Sequence, residues 1–390
     1  MVKLPQITGL YYITHIDNVP SILKHGILSH AQITTEKIQF TQIYNEEIVT
    51  NRKEIKSPEG KSLWQYANLY FQPRNPMLYR VLHETPIDKV AIISVRPEIL
   101  SRLDVYISTG NAAHAQSEIL PSGKAQKIMS QIIKDTLLVD YWREQDGSKR
   151  KIMAECLVPI GVSPDQIQII YVATHEAKTS LEAIISDSKI SIIPEPNMFF
   201  RPTRGYHLTP KLYLVKGDMF FAQLQTLTIS VNTVGVMGKG LASMAKNYFP
   251  DLYVYYQDLC RNRKLRMGKP QLYKRESLLD YELADEPRIL SNWNAERWFL
   301  LFPTKRDWKE RSDIRGIEEG LKWLTDSYKR EGIKSLAIPA LGCGLGRLDW
   351  RDVGPLMCRY LKTFDIMVAL YLPAEKEIPK EFLSEDFLLQ

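Results

Sequence analysis

The chain is 390 residues long, with 44% hydrophobic and 25% charged residues, ordinary globular values that exclude a disordered or collagen-like polymer. That length asks for about two to three domains. No apolar run approaches the ~18 residues of a membrane span, and Met1-Val-Lys-Leu-Pro is no signal peptide. The net charge of +6 falls on one side: residues 1–200 hold 21 cations and 21 anions, leaving 30 and 24 of the totals of 51 and 45 for residues 201–390. A mild excess of this kind permits nucleic-acid contact without demonstrating it.

In chain order, Asp17-Asn18-Val-Pro-Ser-Ile-Leu-Lys-His-Gly predicts a short helix, capped by Asp17 or Asn18, with Pro20 in the first turn and Gly26 as its stop. Residues 91–95 and Ile167–Val172 are apolar and β-branched, and are expected to be buried strands. Thr179 or Ser180 is expected to cap a further short helix. Residues 194–207 then carry three prolines and a glycine without a sustained period, which marks a boundary. The expected domains are 1–205, α+β, and 206–390, α/β with a short C-terminal tail.

Beyond the boundary, residues 211–218 alternate like a strand, and Leu227, Ile229 and Val231 alternate into Asn232 and a glycine-rich turn. Ile314, Ile317, Leu321, Leu324 and Tyr328 recur at helical spacing, predicting a helix capped by Ser312 and ended by Gly332. Residues 336–341 lead into a second glycine-rich turn, and residues 366–372 make a late strand. Strand and helix in alternation predict a mixed, largely parallel sheet flanked by helices.

Gly235-Val-Met-Gly-Lys-Gly240 opens a helix, where backbone N–H groups can meet a phosphate. One such loop is often only a tight turn. A second, Gly342-Cys-Gly-Leu-Gly346, lets the pair clamp a diphosphate at the carboxyl ends of the strands. The run Arg261-Asn-Arg-Lys-Leu-Arg-Met-Gly-Lys269 holds five cations in nine residues, read as a solvated surface or as a DNA-backbone contact. The four cysteines, Cys156, Cys260, Cys343 and Cys358, lack metal-ligand or CxxC spacing. They fit a reducing cytoplasm, and no metal is expected.

The motifs Lys216-Gly-Asp-Met, Val231-Asn-Thr-Val-Gly-Val-Met-Gly-Lys-Gly, Phe302-Pro-Thr-Lys-Arg-Asp-Trp and Pro339-Ala-Leu-Gly-Cys-Gly-Leu-Gly-Arg-Leu-Asp-Trp together resemble a macrodomain of the DarG antitoxin type, over roughly residues 210–375. The resemblance implies ADP-ribose as ligand. Asp218 would accept from the adenine amino group, Met219 would be an ADP-ribose-binding neighbour, and Asn232 would face the distal ribose. Gly235, Gly238 and Gly240 would hold the diphosphate, with Gly342, Cys343, Gly344, Leu345 and Gly346, and Thr304 would be a further ADP-ribose-binding position. It implies Lys305 as the catalytic residue, with Asp349 as its partner. A lysine can act there only if its surroundings make it reactive at neutral pH; pairing with Asp307 or a phosphate is the plainer alternative.

In the first half, Glu155 lies in the apolar stretch Ala154-Glu-Cys-Leu-Val, where a carboxylate either faces solvent or works in a cleft. With Tyr11-Tyr-Ile-Thr-His-Ile-Asp-Asn and Leu69-Tyr-Phe-Gln-Pro-Arg-Asn-Pro-Met-Leu-Tyr, this half resembles DarT over roughly residues 7–200. DarT is an ADP-ribosyltransferase that modifies a base of single-stranded DNA using NAD as substrate. The resemblance implies Glu155 as the catalytic glutamate, stabilising the cationic sugar as nicotinamide leaves. Arg52 matches the family's arginine; a slip of two would put Thr50 there. Tyr12, Ile13, Thr14, Ser21 and Tyr70 fall on NAD-contacting positions, with Tyr12 where the family usually has His. His15, beside the helix cap, is read as a site or a structural residue. Tyr66 and Arg74 are expected to meet DNA by stacking and phosphate contact, and Phe71 to be core.

Together these imply a cytoplasmic toxin–antitoxin fusion that marks single-stranded DNA, with thymine the expected base over guanine, and removes the mark. Control is expected to rest on hydrolysis, aided by contact between the two domains. The other readings are an ADP-ribose-binding module joined to a degenerate transferase, or a transferase acting on RNA or protein.

Overall fold

The structure, a computed structural model, describes residues 4–43, 51–185, 189–275, 282–285, 296–373 and 377–390. The chain divides into two compact units: Met1–Phe200 with Asp280–Trp293, and Arg201–Leu279 with Asn294–Gln390. The sequence reading made no provision for the second piece of the first unit.

Among the described residues, ten strands build the first unit: β1 (Leu10–His15), β2 (Ile27–Leu28), β3 (Tyr66–Tyr70), β4 (Val90–Val95), β5 (Tyr106–Ser108), β6 (Ile119–Pro121), β7 (Glu155–Pro159), β8 (Gly161–Val162), β9 (Ile167–Val172) and β10 (Ser191–Pro194). Eight form one sheet in the order β10-β9-β4-β1-β3-β7-β5-β6, while β2 pairs with β8. Within the large sheet only β9 and β10 run parallel. Apolar except for Ser94, β4 is buried at all six positions, as a strand covered on both faces requires. Register sets the site: Tyr70 of β3 lies opposite Glu155 of β7, so the two side chains share a face.

Helix ends in this unit depart from the expected caps. Asn18 holds the N-cap position of Val19–His25 without capping it. Its amide instead donates to Thr14 Oγ1 (3.1 Å) and Thr41 O (2.8 Å), tying β1 to the following loop. Gly26 ends the helix at φ 90°, and a Cβ there would meet the Val162 carbonyl. Thr174, not Thr179 or Ser180, caps His175–Ile184 by accepting from Ala177 N. Thr179 sits inside that helix and donates back to His175 O.

The second unit has, among the described residues, seven strands: β11 (Arg204–His207), β12 (Leu212–Lys216), β13 (Thr226–Asn232), β14 (Gln271–Tyr273), β15 (Trp298–Lys305), β16 (Ser335–Pro339) and β17 (Met367–Tyr371). Their order is β11-β12-β17-β16-β13-β15-β14. The middle five are parallel, and both edges are antiparallel. The helix Ile314–Glu331 buries Ile317, Leu321, Leu324 and Tyr328 in the core beside this sheet. Its cap is Asp313 rather than Ser312: the Asp313 carboxylate accepts from Arg315 N and Gly316 N, while Ser312 N donates to Gly346 O. Among the described residues, no helix is long and apolar enough to cross a membrane.

Candidate active sites

The first unit opens a cavity of about 310 Å³. Tyr12, Ile13 and Thr14 of β1, Ser21 of the first helix, and Arg52 and Tyr70 all line it, so the expected NAD residues converge. Beside it, Glu155 is fully buried and paired with Arg52. Arg52 Nη2 donates to Oε2 at 2.7 Å and Nη1 to Oε1 at 3.3 Å. A third donor, Ala112 N, reaches Oε1 at 2.9 Å. Ser108 aims that amide: its hydroxyl accepts from Glu155 N (2.9 Å) and donates to Gly110 O (2.5 Å), pinning the turn that carries Ala112.

Electrostatics follow from this packing. Burial pulls the Arg52 pKa down and Glu155 outweighs it, for a net rise, so the guanidinium stays charged. Burial first, then the Glu155 charge, raises the Tyr70 pKa, and burial takes Tyr12 up to about 12. Both phenols therefore stay protonated and can donate. His30 also lines the cavity, stacked on Trp64 at 4.5 Å. Burial, then Arg52 and Lys53, lowers its pKa to about 4, so its ring is neutral at physiological pH. The arrangement places the buried Glu155 carboxylate and protonated phenols beside a hollow sized for part of a dinucleotide, as charge stabilisation at a sugar carbon requires.

In the second unit the expected ligand residues gather at the carboxyl ends of the parallel strands, where open α/β sheets bind ligands. Asn232 ends β13 and lies opposite Lys305 at the end of β15. The Asn232 carboxamide organises the first glycine loop: Oδ1 accepts from Val234 N, Val236 N and Tyr256 OH, and Nδ2 donates to Val236 O at 2.6 Å. Lys239 stands at the N-cap of the helix Gly240–Tyr248. The second loop, residues 340–348, meets the first, since a Cβ on Gly240 would lie 3.2 Å from Leu345 Cδ1. Gly346 is packed so closely that a Cβ would sit 2.5 Å from Gly342 O.

Lys305 Nζ donates to the carbonyls of Glu310 (2.9 Å) and Leu345 (3.3 Å), which binds it to the second loop rather than to Asp307. Burial, then the Arg347 charge, lowers its pKa below the ordinary lysine range, which favours the reactive amine. Asp218 follows β12 and accepts from Phe220 N at 3.0 Å. Met219 and Cys343 turn their side chains into the protein, so they offer backbone only. Thr304 is buried, with its hydroxyl 3.5 Å from Val231 O.

Residues 11–200 match the family described as ssDNA thymidine ADP-ribosyltransferase, DarT, and residues 292–357 match the Macro domain family. A DNA ADP-ribosyl transferase–DNA ADP-ribosyl glycohydrolase fusion protein of Thermosipho africanus is 55% identical over 99% of this chain and 99% of its own. This chain belongs to that DarT–DarG fusion family. A solved structure of Thermosipho africanus DarTG in complex with ADP-ribose superposes with a TM-score of 0.93, at 54% identity, over 98% of this chain and 100% of that one. A DNA ADP-ribosyl glycohydrolase of Thermus aquaticus is 34% identical over 42% of this chain and 42% of its own.

Within this fusion-family chain, some expected residues do different work. Tyr66 is 2% exposed, with its hydroxyl on Ser57 Oγ and Glu59, so it is a core residue and no stacking platform for a base. Arg74 is half-buried against Asn197 Oδ1 (3.2 Å) and the Phe200 ring, and Phe71 is core. Asp349 caps the helix Trp350–Leu361 and pairs with Arg351 at 2.8 Å. His15 accepts from Asp17 N in a local cap. Thr50 lies outside the described residues. Sequence reasoning missed Ser108, Ala112, His30, Tyr256 and the Arg80–Asp285 pair. No motif announces a backbone amide or a partner 205 residues away.

Proposed function

We propose that the first unit transfers ADP-ribose from NAD to a base of single-stranded DNA, thymine by the family's own description, and that the second unit removes it. The observation that carries the reading is the buried Arg52–Glu155 pair beside a cavity ringed by Tyr12, Thr14, Ser21 and Tyr70. As the bond from the nicotinamide ring to the ribose breaks, its electron pair leaves with nicotinamide and positive charge grows on the anomeric carbon. The Glu155 carboxylate opposes that charge at fixed cost, because three donors already orient it. The base nitrogen then bonds to that carbon and loses its proton. A base must leave its stack to reach the cavity, which favours a single strand.

In the second unit the two glycine loops and Asp218 would hold ADP-ribose as substrate, with Lys305 at its ribose end. Water adds to the sugar carbon, and the base departs with a proton. A degenerate transferase is disfavoured by the intact Arg52–Glu155 pair, and Tyr12 retains a hydroxyl in place of the usual imidazole. We assign the protein to the cytoplasm, in keeping with four cysteines that are all free thiols. Glu155→Ala protein incubated with NAD and a single-stranded oligonucleotide should leave it unmodified, and an RNA or protein competitor should not divert the parent's label. Labelling by the variant would remove Glu155 from the mechanism.

A further inference from the structure

Among the described residues, one wall residue of the first unit's cavity lies far beyond residues 11–200, the stretch that matches the DarT family. Asp285 lies in sequence between β14 and β15, yet it belongs to the first unit and lines the cavity. Its carboxylate accepts from Arg80 Nε at 2.7 Å, with the two side chains only 7% and 1% exposed. Arg80 also lines the cavity and donates through Nη1 to Glu84 Oε2 at 2.6 Å. Its third nitrogen, Nη2, donates no hydrogen bond among the described residues, so one edge of a locked guanidinium remains to meet a ligand.

The contacts around Asp285 keep it in place. Leu283 and Ala284 are buried, Trp142 Nε1 donates to Leu283 O at 2.8 Å, and Asp285 N donates to Pro76 O at 3.2 Å. Pro76 begins the helix Pro76–Glu84, which carries Met77 and Arg80 to the cavity. A short segment thus pins the start of this helix through its backbone and the middle of it through an ion pair.

We propose that Asp285 is a positioning residue of the transferase cavity, fixing Arg80 so that its free edge is presented to the diphosphate of NAD. The inference rests on the assignment of NAD to this cavity. It makes the transferase site complete only with residues 282–285, so sequence from beyond the DarT match tunes the affinity of the toxin for its substrate. An arginine held by two carboxylates loses less freedom on meeting an anion than a mobile one. A buried arginine stripped of a partner turns toward whatever charge remains, here Glu84.

Calorimetry of the full-length chain with NAD, without DNA, tests this, with the melting temperature read in parallel. Asp285→Ala is expected to weaken NAD binding at least tenfold. Asp285→Asn, which keeps the acceptor and the shape, should weaken it about threefold and serves if the alanine variant folds poorly. Asp285→Glu should recover part of the loss. A purely structural role would lower the melting temperature while the folded protein binds NAD as the parent does, and that result overturns the proposal. A parent that binds no NAD overturns the cavity assignment and this proposal together. Parent binding with unchanged affinity in both the Ala and Asn variants overturns the proposal alone.

Discussion

Replacing Arg52 by Met tests whether the Arg52–Glu155 pair is one unit. The change keeps most of the apolar stem but removes two charge-assisted hydrogen bonds, at 2.7 and 3.3 Å, from a carboxylate with no exposure. Among the described residues, only Ala112 N remains to hold it. Removing one partner of a buried pair costs about 3–5 kcal/mol. Arg52 itself is 14% exposed, so water can enter beside Glu155 and the lower end, about 3 kcal/mol, is expected. For a unit of this size each kcal/mol lowers the melting temperature by about 2–4 °C, hence roughly 6–12 °C here. The double variant Arg52→Met with Glu155→Gln removes both charges and should recover to within about 1–2 kcal/mol of the parent. Labelling of single-stranded oligonucleotide should stay lost in both. Calorimetric melting of the four proteins of the cycle supplies the numbers. Additive losses, with the double variant the least stable, would refute the coupled buried pair.

The second unit and the pH response give further expectations. Gly346→Ala forces a Cβ against Gly342 O and Ser312 Oγ, so the second loop must shift; titration calorimetry should find ADP-ribose binding weakened at least tenfold, and an unchanged affinity would mean the loop does not hold the ligand. Asn232→Ala frees Val234 N and Val236 N and should weaken the same binding by a similar factor, while a loss of stability alone would restrict Asn232 to scaffolding. His30 has a folded pKa of about 4 against 6.5 when unfolded, so the unfolded chain takes up the proton first. Its contribution to stability is therefore full above 6.5 and is lost as pH falls toward 4, by at most about 3 kcal/mol. Denaturant titrations across that window should show a shallower decline for His30→Phe than for the parent; equal slopes would place the proton elsewhere.

How much of this was legible in the sequence depended on whether a residue's partner was local. Glycine loops, apolar strands and the helix ended by Gly332 are written in neighbouring residues, and they stand where the periodicities put them. Caps were less secure because competing Ser, Thr and Asp lie close together: Asp313 displaced Ser312, and Thr174 displaced Thr179 and Ser180. Tyr66 read as a stacking group because its type suits one, yet strand pairing turned it inward onto Ser57 and Glu59. The Glu155 site was half visible. Its two charged members carried motif context, but the amide of Ala112 and the Ser108 hydroxyl that aims it depend on how β5 lies along β7. Asp285 was invisible, since nothing local ties it to Arg80.

The central claim is that one chain writes and erases the same mark, and intact-mass spectrometry of a single-stranded DNA oligonucleotide tests it most directly. Incubated with NAD and the full-length Lys305→Ala protein, the oligonucleotide should gain the mass of one ADP-ribose on a thymine and keep it, and adding the parent protein should then return it to its starting mass. An oligonucleotide that stays unmodified with the Lys305→Ala protein, or a mark that the parent cannot remove, would contradict the account.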